Sequence, residues 1–234
     1  MQNRSRCGFV EAASRQKEGK DEMIISASRR TDIPACYGQW MMARLRAGEV
    51  LVPNPYNASR ISRVALSPGN VDCIVFWTKN AAPMLPLLDE LDALGYKYYF
   101  EYTVTGYGSA LEPDLPEKER TVDTFLRLSE RLGPEGVDWR FDPVLLTPSI
   151  TPAWQLERFG ALCRALHGAT RRCVFSFADP YPGIRPSIAP LEETQMRLLA
   201  KGFADIAGEY GLPLYTCAEA VELSEYGIRH AACI

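Results

Sequence analysis

Short runs of β-branched and aromatic residues alternate with longer runs of helical spacing some six or seven times along this 234-residue chain. Few folds accept such a pattern. A strand followed by a crossover of a dozen or more residues runs parallel to the next strand, and the crossover is right-handed. The pattern predicts an α/β protein: a (β/α) TIM-barrel-like arrangement of parallel strands with outer helices, closed or incomplete at its C-terminus. An open doubly wound sheet is the alternative. The strand-like runs are 23–28 (MIISAS), 50–53, 71–78 (VDCIVFWT), 97–105 (KYYFEYTVT), 137–146, 172–177 and 214–217. Helical spacing covers 36–47, 84–94, 117–132, 152–166, 191–210 and 219–226. Glycine stops these runs, at Gly48, Gly95, Gly133, Gly168, Gly211 and Gly227, as expected of helix C-caps.

Composition narrows the function classes. The net charge of −3 supplies no global field for nucleic acid, so a nucleic-acid partner is disfavoured. No apolar run approaches the roughly 20 residues that span a bilayer, so no membrane association is expected. Residues 1–22 mix both charges and contain no apolar stretch. They read as a disordered leader, not a secretory signal, with Met23 a candidate start. Residues 23–234 then read as a single barrel-like domain. Seven cysteines without a C-x-x-C pair, and no signal peptide, fit a reduced cytoplasmic setting. His167 and His230 are the only histidines, which leaves little for a His-rich metal site or a Ser-His-Asp relay. No G-x-G-x-x-G or G-x-x-x-x-G-K follows a strand, which weakens dinucleotide or P-loop binding.

The residues after each strand carry the chemistry. Ser28-Arg29-Arg30-Thr31-Asp32 follows the first strand, and Thr78-Lys79-Asn80 follows the run through Trp77. Glu101 and Thr103 lie on the next strand, Arg140 and Asp142 on the one after, then Ser176 and Asp179, and last Cys217 and Glu219. In parallel α/β folds the carboxyl ends of strands share one face, where catalytic groups collect. Arg29, Arg30, Lys79 and Arg140 are candidate holders of an anionic group, because guanidinium forks match carboxylate and phosphate. Asp32, Asn80, Asp179 and Glu219 complete the candidate substrate contacts. Glu101, Asp142 and Lys79 are the catalytic candidates, the carboxylates as acid or base. Blander readings stand beside these. Arg140 and Asp142 are two apart on a strand and suit a structural salt bridge, and Cys217 has no nearby histidine to activate it.

The same segments resemble a bacterial family, DUF1848. The resemblance rests on Ser28-Arg29-Arg30-Thr31-Asp32-Ile33-Pro34-Ala35, Phe76-Trp77-Thr78-Lys79-Asn80, Trp139-Arg140-Phe141-Asp142-Pro143, Ser176-Phe177-Ala178-Asp179-Pro180-Tyr181, Thr216-Cys217-Ala218-Glu219 and the terminal Cys233-Ile234. It implies a C-terminal cysteine cluster like that of radical S-adenosylmethionine enzymes, and hence a [4Fe-4S] cluster and S-adenosylmethionine in full-length relatives. This chain ends at Ile234 without a run of closely spaced cysteines, so it reads as a shortened member or an incomplete gene product. Its own spacing supports no metal site, with Cys217 and Cys233 as weak candidates. Three readings follow: a radical-type iron–sulfur scaffold lacking its cluster segment, a cluster-independent lyase or hydrolase acting on a phosphorylated or carboxylated small molecule, and a nucleic-acid or protein-binding module.

Overall fold

A computed structural model describes residues 10–17, 20–28, 31–54, 56–57, 59–178 and 190–231. They fall into two compact units, one through Tyr102 and one from Thr103 onward. Both show the mixed α/β architecture of parallel strands with helical crossovers that the alternation predicts. No barrel closure is seen among the described residues.

In the first unit, β1 (Val10–Lys17) pairs antiparallel with β2 (Lys20–Ala27), from Val10 against Ala27 to Lys17 against Lys20. A strand therefore occupies part of the segment expected to be a leader, and β2 begins before Met23. Val10–Lys17 has almost no apolar alternation, so its pairing is invisible to periodicity; an edge strand's unpaired backbone supplies the template. The short helix α1 (Ile33–Cys36) and α2 (Gly38–Ala47) follow. Next, β3 (Glu49–Pro53) and β4 (Ile61–Ala65) form a separate antiparallel hairpin. Then β5 (Cys73–Thr78) pairs parallel with β2, with Ile24 against Cys73. After a 3-10 turn at Leu85–Leu87 comes α3 (Leu88–Ala93), and β6 (Tyr98–Thr103) pairs parallel with β5, Ile74 against Tyr98. Strand order in this unit is β1-β2-β5-β6. Ile74, Val75 and Phe76 are fully buried in succession, the continuous apolar run of a strand covered on both faces.

The second unit alternates more regularly. It contains α4 (Lys118–Leu132), β7 (Val137–Val144), α5 (Pro152–Leu166), β8 (Cys173–Phe177), α6 (Glu193–Glu209), β9 (Leu214–Thr216) and the two-residue β10 (Arg229–His230). The strands are parallel and lie in chain order. Helix α4 buries Thr121, Thr124, Phe125, Leu128 and Ser129, one stripe at spacings of three and four. Helix α5 starts where the Thr151 hydroxyl accepts the Trp154 amide, with Pro152 in the first turn, where its missing N–H costs nothing. Helix α6 opens with a reciprocal capping box between Glu192 and Gln195. The core is aromatic. Phe159 meets Trp139 at 5.3 Å, Phe141 at 5.1 Å and Phe203 at 4.5 Å between ring centroids. Each such fully buried side chain contributes about 1.5–3 kcal/mol of transfer free energy, and together they join β7, α5 and α6.

The helix expected over 219–226 is absent; only a 3-10 turn at Ser224–Tyr226 forms there. Ala218, just before this segment, sits at φ 59, a left-handed conformation that turns the chain there. The Glu222 carboxylate accepts the Ser224 amide at 2.9 Å, which closes a local turn in place of helix.

Candidate functional site

In the first unit, Asp32 joins two strand ends. Its Oδ1 accepts the Ala35 amide at 2.9 Å, capping α1. Its Oδ2 accepts the Thr78 hydroxyl at 3.0 Å and the Lys79 amide at 2.8 Å. The carboxyl end of β2 is thus tied to that of β5. Ser28 just before has φ 102, and its hydroxyl accepts the Ile33 amide at 3.0 Å. A non-glycine residue at positive φ is strain that its surroundings must hold in place. Asn80 completes the turn: its amide donates to Thr78 Oγ1 at 2.9 Å, and its own Oδ1 accepts the Ala82 amide at 3.1 Å. Lys79 is half-buried and Glu101 buried. Asp32 and Asn80, expected to touch substrate, thus both spend side-chain hydrogen bonds on shaping the rim.

Burial raises the Asp32 pKa, although three donors and the Lys79 charge pull the other way. The folded chain therefore holds this proton more tightly than the unfolded chain does. Its contribution to stability is fully present below the ordinary value of 3.8 and is lost as pH rises through the folded value. The unfolding free energy of wild type minus that of Asp32→Asn should accordingly fall as pH climbs from below 3.8 toward neutrality. Urea unfolding of both proteins across that range checks it; a difference that grows with pH would contradict burial as the dominant cause.

The second unit assembles a different group. Arg140 and Asp142 share one face of β7. Arg140 donates from Nε at 2.8 Å, and also from Nη2, to Asp142 Oδ2. The Thr103 hydroxyl, at the end of β6, donates to Asp142 Oδ1 at 3.4 Å. The side chains of Arg140 and Asp142 are only 7% and 15% exposed. One carboxylate oxygen is fixed by the fork, and the other holds only a long bond from Thr103. At the carboxyl end of β8, the Phe177 amide donates to Glu219 Oε1 at 2.7 Å. Glu219 thus splints the segment after β9 onto the end of β8.

Arg29, Arg30, Asp179 and Cys233 lie outside the described residues. Cys217 is disulfide-bonded, so the thiolate that a metal would need is not available there. The free cysteines among the described residues are Cys36, Cys73, Cys163 and Cys173. Cys163 and Cys173 are buried, and burial pushes their thiols up, Cys163 to about 12. No three metal-ligating side chains gather among the described residues. A cluster needs several close thiolates, and the free cysteines among the described residues do not supply such a group.

Sequence reasoning missed Tyr107. Its hydroxyl donates to the Pro143 carbonyl at 2.8 Å and accepts from the Leu145 amide at 3.1 Å and from Gln155 Nε2 at 2.9 Å. Burial pushes its pKa up to about 12, which keeps it a protonated donor. It also missed Asp138, which takes both Arg171 and Arg172 at the amino end of β7. Neither residue stands in a recognisable motif, and these partners are 33 or more residues distant in sequence.

The model of a family described as "Domain of unknown function (DUF1848)" matches residues 24–234. The chain belongs to the DUF1848 family. The matched span contains both strand-end groups of this DUF1848 protein. No curated protein matches it. Among solved structures, it is similar to a crystal structure provisionally described as an alpha-L-fucosidase from Bacteroides thetaiotaomicron VPI-5482. That similarity has 10% identity and a TM-score of 0.36, and covers 86% of this chain and 76% of the other; it carries no functional argument. No helix among the described residues of the DUF1848 chain is long and apolar enough to cross a membrane.

Proposed function

We propose that this DUF1848 chain is a cluster-independent enzyme of the lyase or hydrolase type, acting on a polar or anionic small molecule at the carboxyl end of β7. Asp142 is the group that moves a proton, and Arg140 is its charge partner and the attraction for an anion. The observation that carries this reading is the Arg140–Asp142 pair, nearly excluded from water at a strand end and met there by Thr103. Taking two charges out of water costs several kcal/mol per ion, and apolar replacements are often no less stable. A pair kept in such a place fits a working role better than a stabilising one. Oδ2 is anchored and Oδ1 is weakly engaged, which suits a carboxylate oriented for proton transfer.

The test is a thermal-unfolding series on the full chain with phosphate, sulfate and simple carboxylates. An anion that binds the folded state raises the midpoint, by about 2.7 kcal/mol of stabilisation at a hundred times its Kd. At least one of these anions should do so. A midpoint unmoved by all of them removes the basis of the reading.

A further inference from the structure

The second unit holds a pair of openings whose lining includes neither Arg140 nor Asp142. An open groove of about 750 Å³ and a cavity of about 240 Å³ share Tyr107 and Gly108 as a common wall. Leu111, Ile150 and Trp154 line the groove with apolar surface, packed against the buried cluster of Tyr107, Leu145 and Ala178. Its size falls in the range of small-molecule sites. Thr147 and Ser149 add hydroxyls at its edge.

The cavity presents one spare cation. Arg158 lines it, with its guanidinium carbon 5.6 Å from the centre of the Trp154 ring. The root of its side chain lies hard against the backbone: a Cβ added at Gly106 would stand 2.6 Å from Arg158 Cβ and 2.8 Å from Cγ. Only glycine permits that approach. The arginine is thereby held from both sides, which lowers the entropy lost when it binds. No carboxylate pairs with it among the described residues. The other cation, Lys118, is already paired with Glu112 at 3.2 Å. Glu117 and Glu119 stand exposed at the edge of the cavity. Arg158 is thus the cation of this lining without a paired carboxylate, and the two rim carboxylates repel a dianion more than a monoanion.

We infer that these openings form a binding site for a monocarboxylate with an apolar body, such as an aryl- or alkyl-carboxylic acid. The carboxylate pairs with Arg158, and the body lies along Leu111, Ile150 and the edge of Trp154. A planar fork against a carboxylate is the strong form of such a contact. Arg140 and Asp142 do not line these openings, and the inference stands whether or not the proposed reaction there is right.

Phenylacetate is the probe, read by calorimetric titration of the full chain, with phenylacetamide as its uncharged counterpart. Phenylacetate should bind wild type, and phenylacetamide should bind at least about tenfold more weakly, a difference of about 1.4 kcal/mol. Arg158→Ala should lose the preference for the acid. Arg158 is exposed, so this variant is expected to fold, and an unchanged urea midpoint verifies it. Arg158→Ala should also leave any phosphate-induced midpoint shift intact, which separates this site from the one at Arg140. Absence of phenylacetate binding to wild type, equal affinity for acid and amide, or undiminished binding to Arg158→Ala would each overturn the inference.

Discussion

Asp138→Ala should destabilise the protein by about 3 kcal/mol, the low end of the range for breaking a buried ion pair from one side. Asp138 has no exposed surface. Arg171 reaches it through Nε at 2.9 Å and Nη2 at 3.3 Å, and Arg172 through Nε at 2.9 Å and Nη2 at 2.6 Å. Removing the carboxylate leaves two adjacent guanidiniums without their shared counter-charge. Their own partial exposure, 38% and 23%, lets water offset part of the loss, which sets the value at the lower end. Glu135 still reaches Arg171 at 3.2 Å, and the Tyr215 ring still lies beneath Arg172. The change should appear as a lower urea midpoint with an unchanged slope. A loss below about 1 kcal/mol would mean that the three charges are solvated in the folded chain as they are in the unfolded one.

Tyr107→Phe should cost about 2–3 kcal/mol although it removes a single oxygen atom. The hydroxyl serves the Pro143 carbonyl, the Leu145 amide and the Gln155 side chain together. Phenylalanine fills the same space and satisfies none of them. An orphaned buried donor or acceptor costs about 1–3 kcal/mol, more than the net value of an ordinary hydrogen bond. Gln155 keeps its bond to the Leu145 carbonyl at 2.7 Å, so the Leu145 amide and the Pro143 carbonyl bear the loss. Amide exchange at Leu145 should quicken more than exchange at Phe175 in the core of β8. Equal acceleration at both would indicate global destabilisation with no local opening at the end of β7.

The parts of this fold that periodicity could show were those whose partner is a whole face. Helices α4, α5 and α6 each turn one stripe to the core, and β5 and β8 are continuous apolar runs. Such patterns are local, so the chain displays them directly. The hairpin of β3 and β4 and the β1–β2 pairing were not legible, because backbone pairing of weakly patterned strands leaves little trace in side chains. At the candidate site the sequence pointed to strand ends, since polar residues there interrupt apolar runs. It could not say which polar groups face one another. Asp32 looked like a substrate contact and holds a turn. Arg140 and Asp142 looked equally like a salt bridge or a site, and their geometry includes the bridge. Tyr107 and Asp138 depend on bonds that only strand register and loop path create.

The proposed role of Arg140 and Asp142 meets its most direct test in one calorimetric titration of inorganic phosphate into wild type and Asp142→Asn. Arg140 spends Nε and Nη2 on Asp142, so removing that negative charge should take away one competitor of an added anion for the guanidinium. Phosphate should bind wild type and should bind Asp142→Asn about tenfold more tightly. Equal affinities, or no binding to either protein, would mean that the pair at the end of β7 is a structural bridge and no anion site.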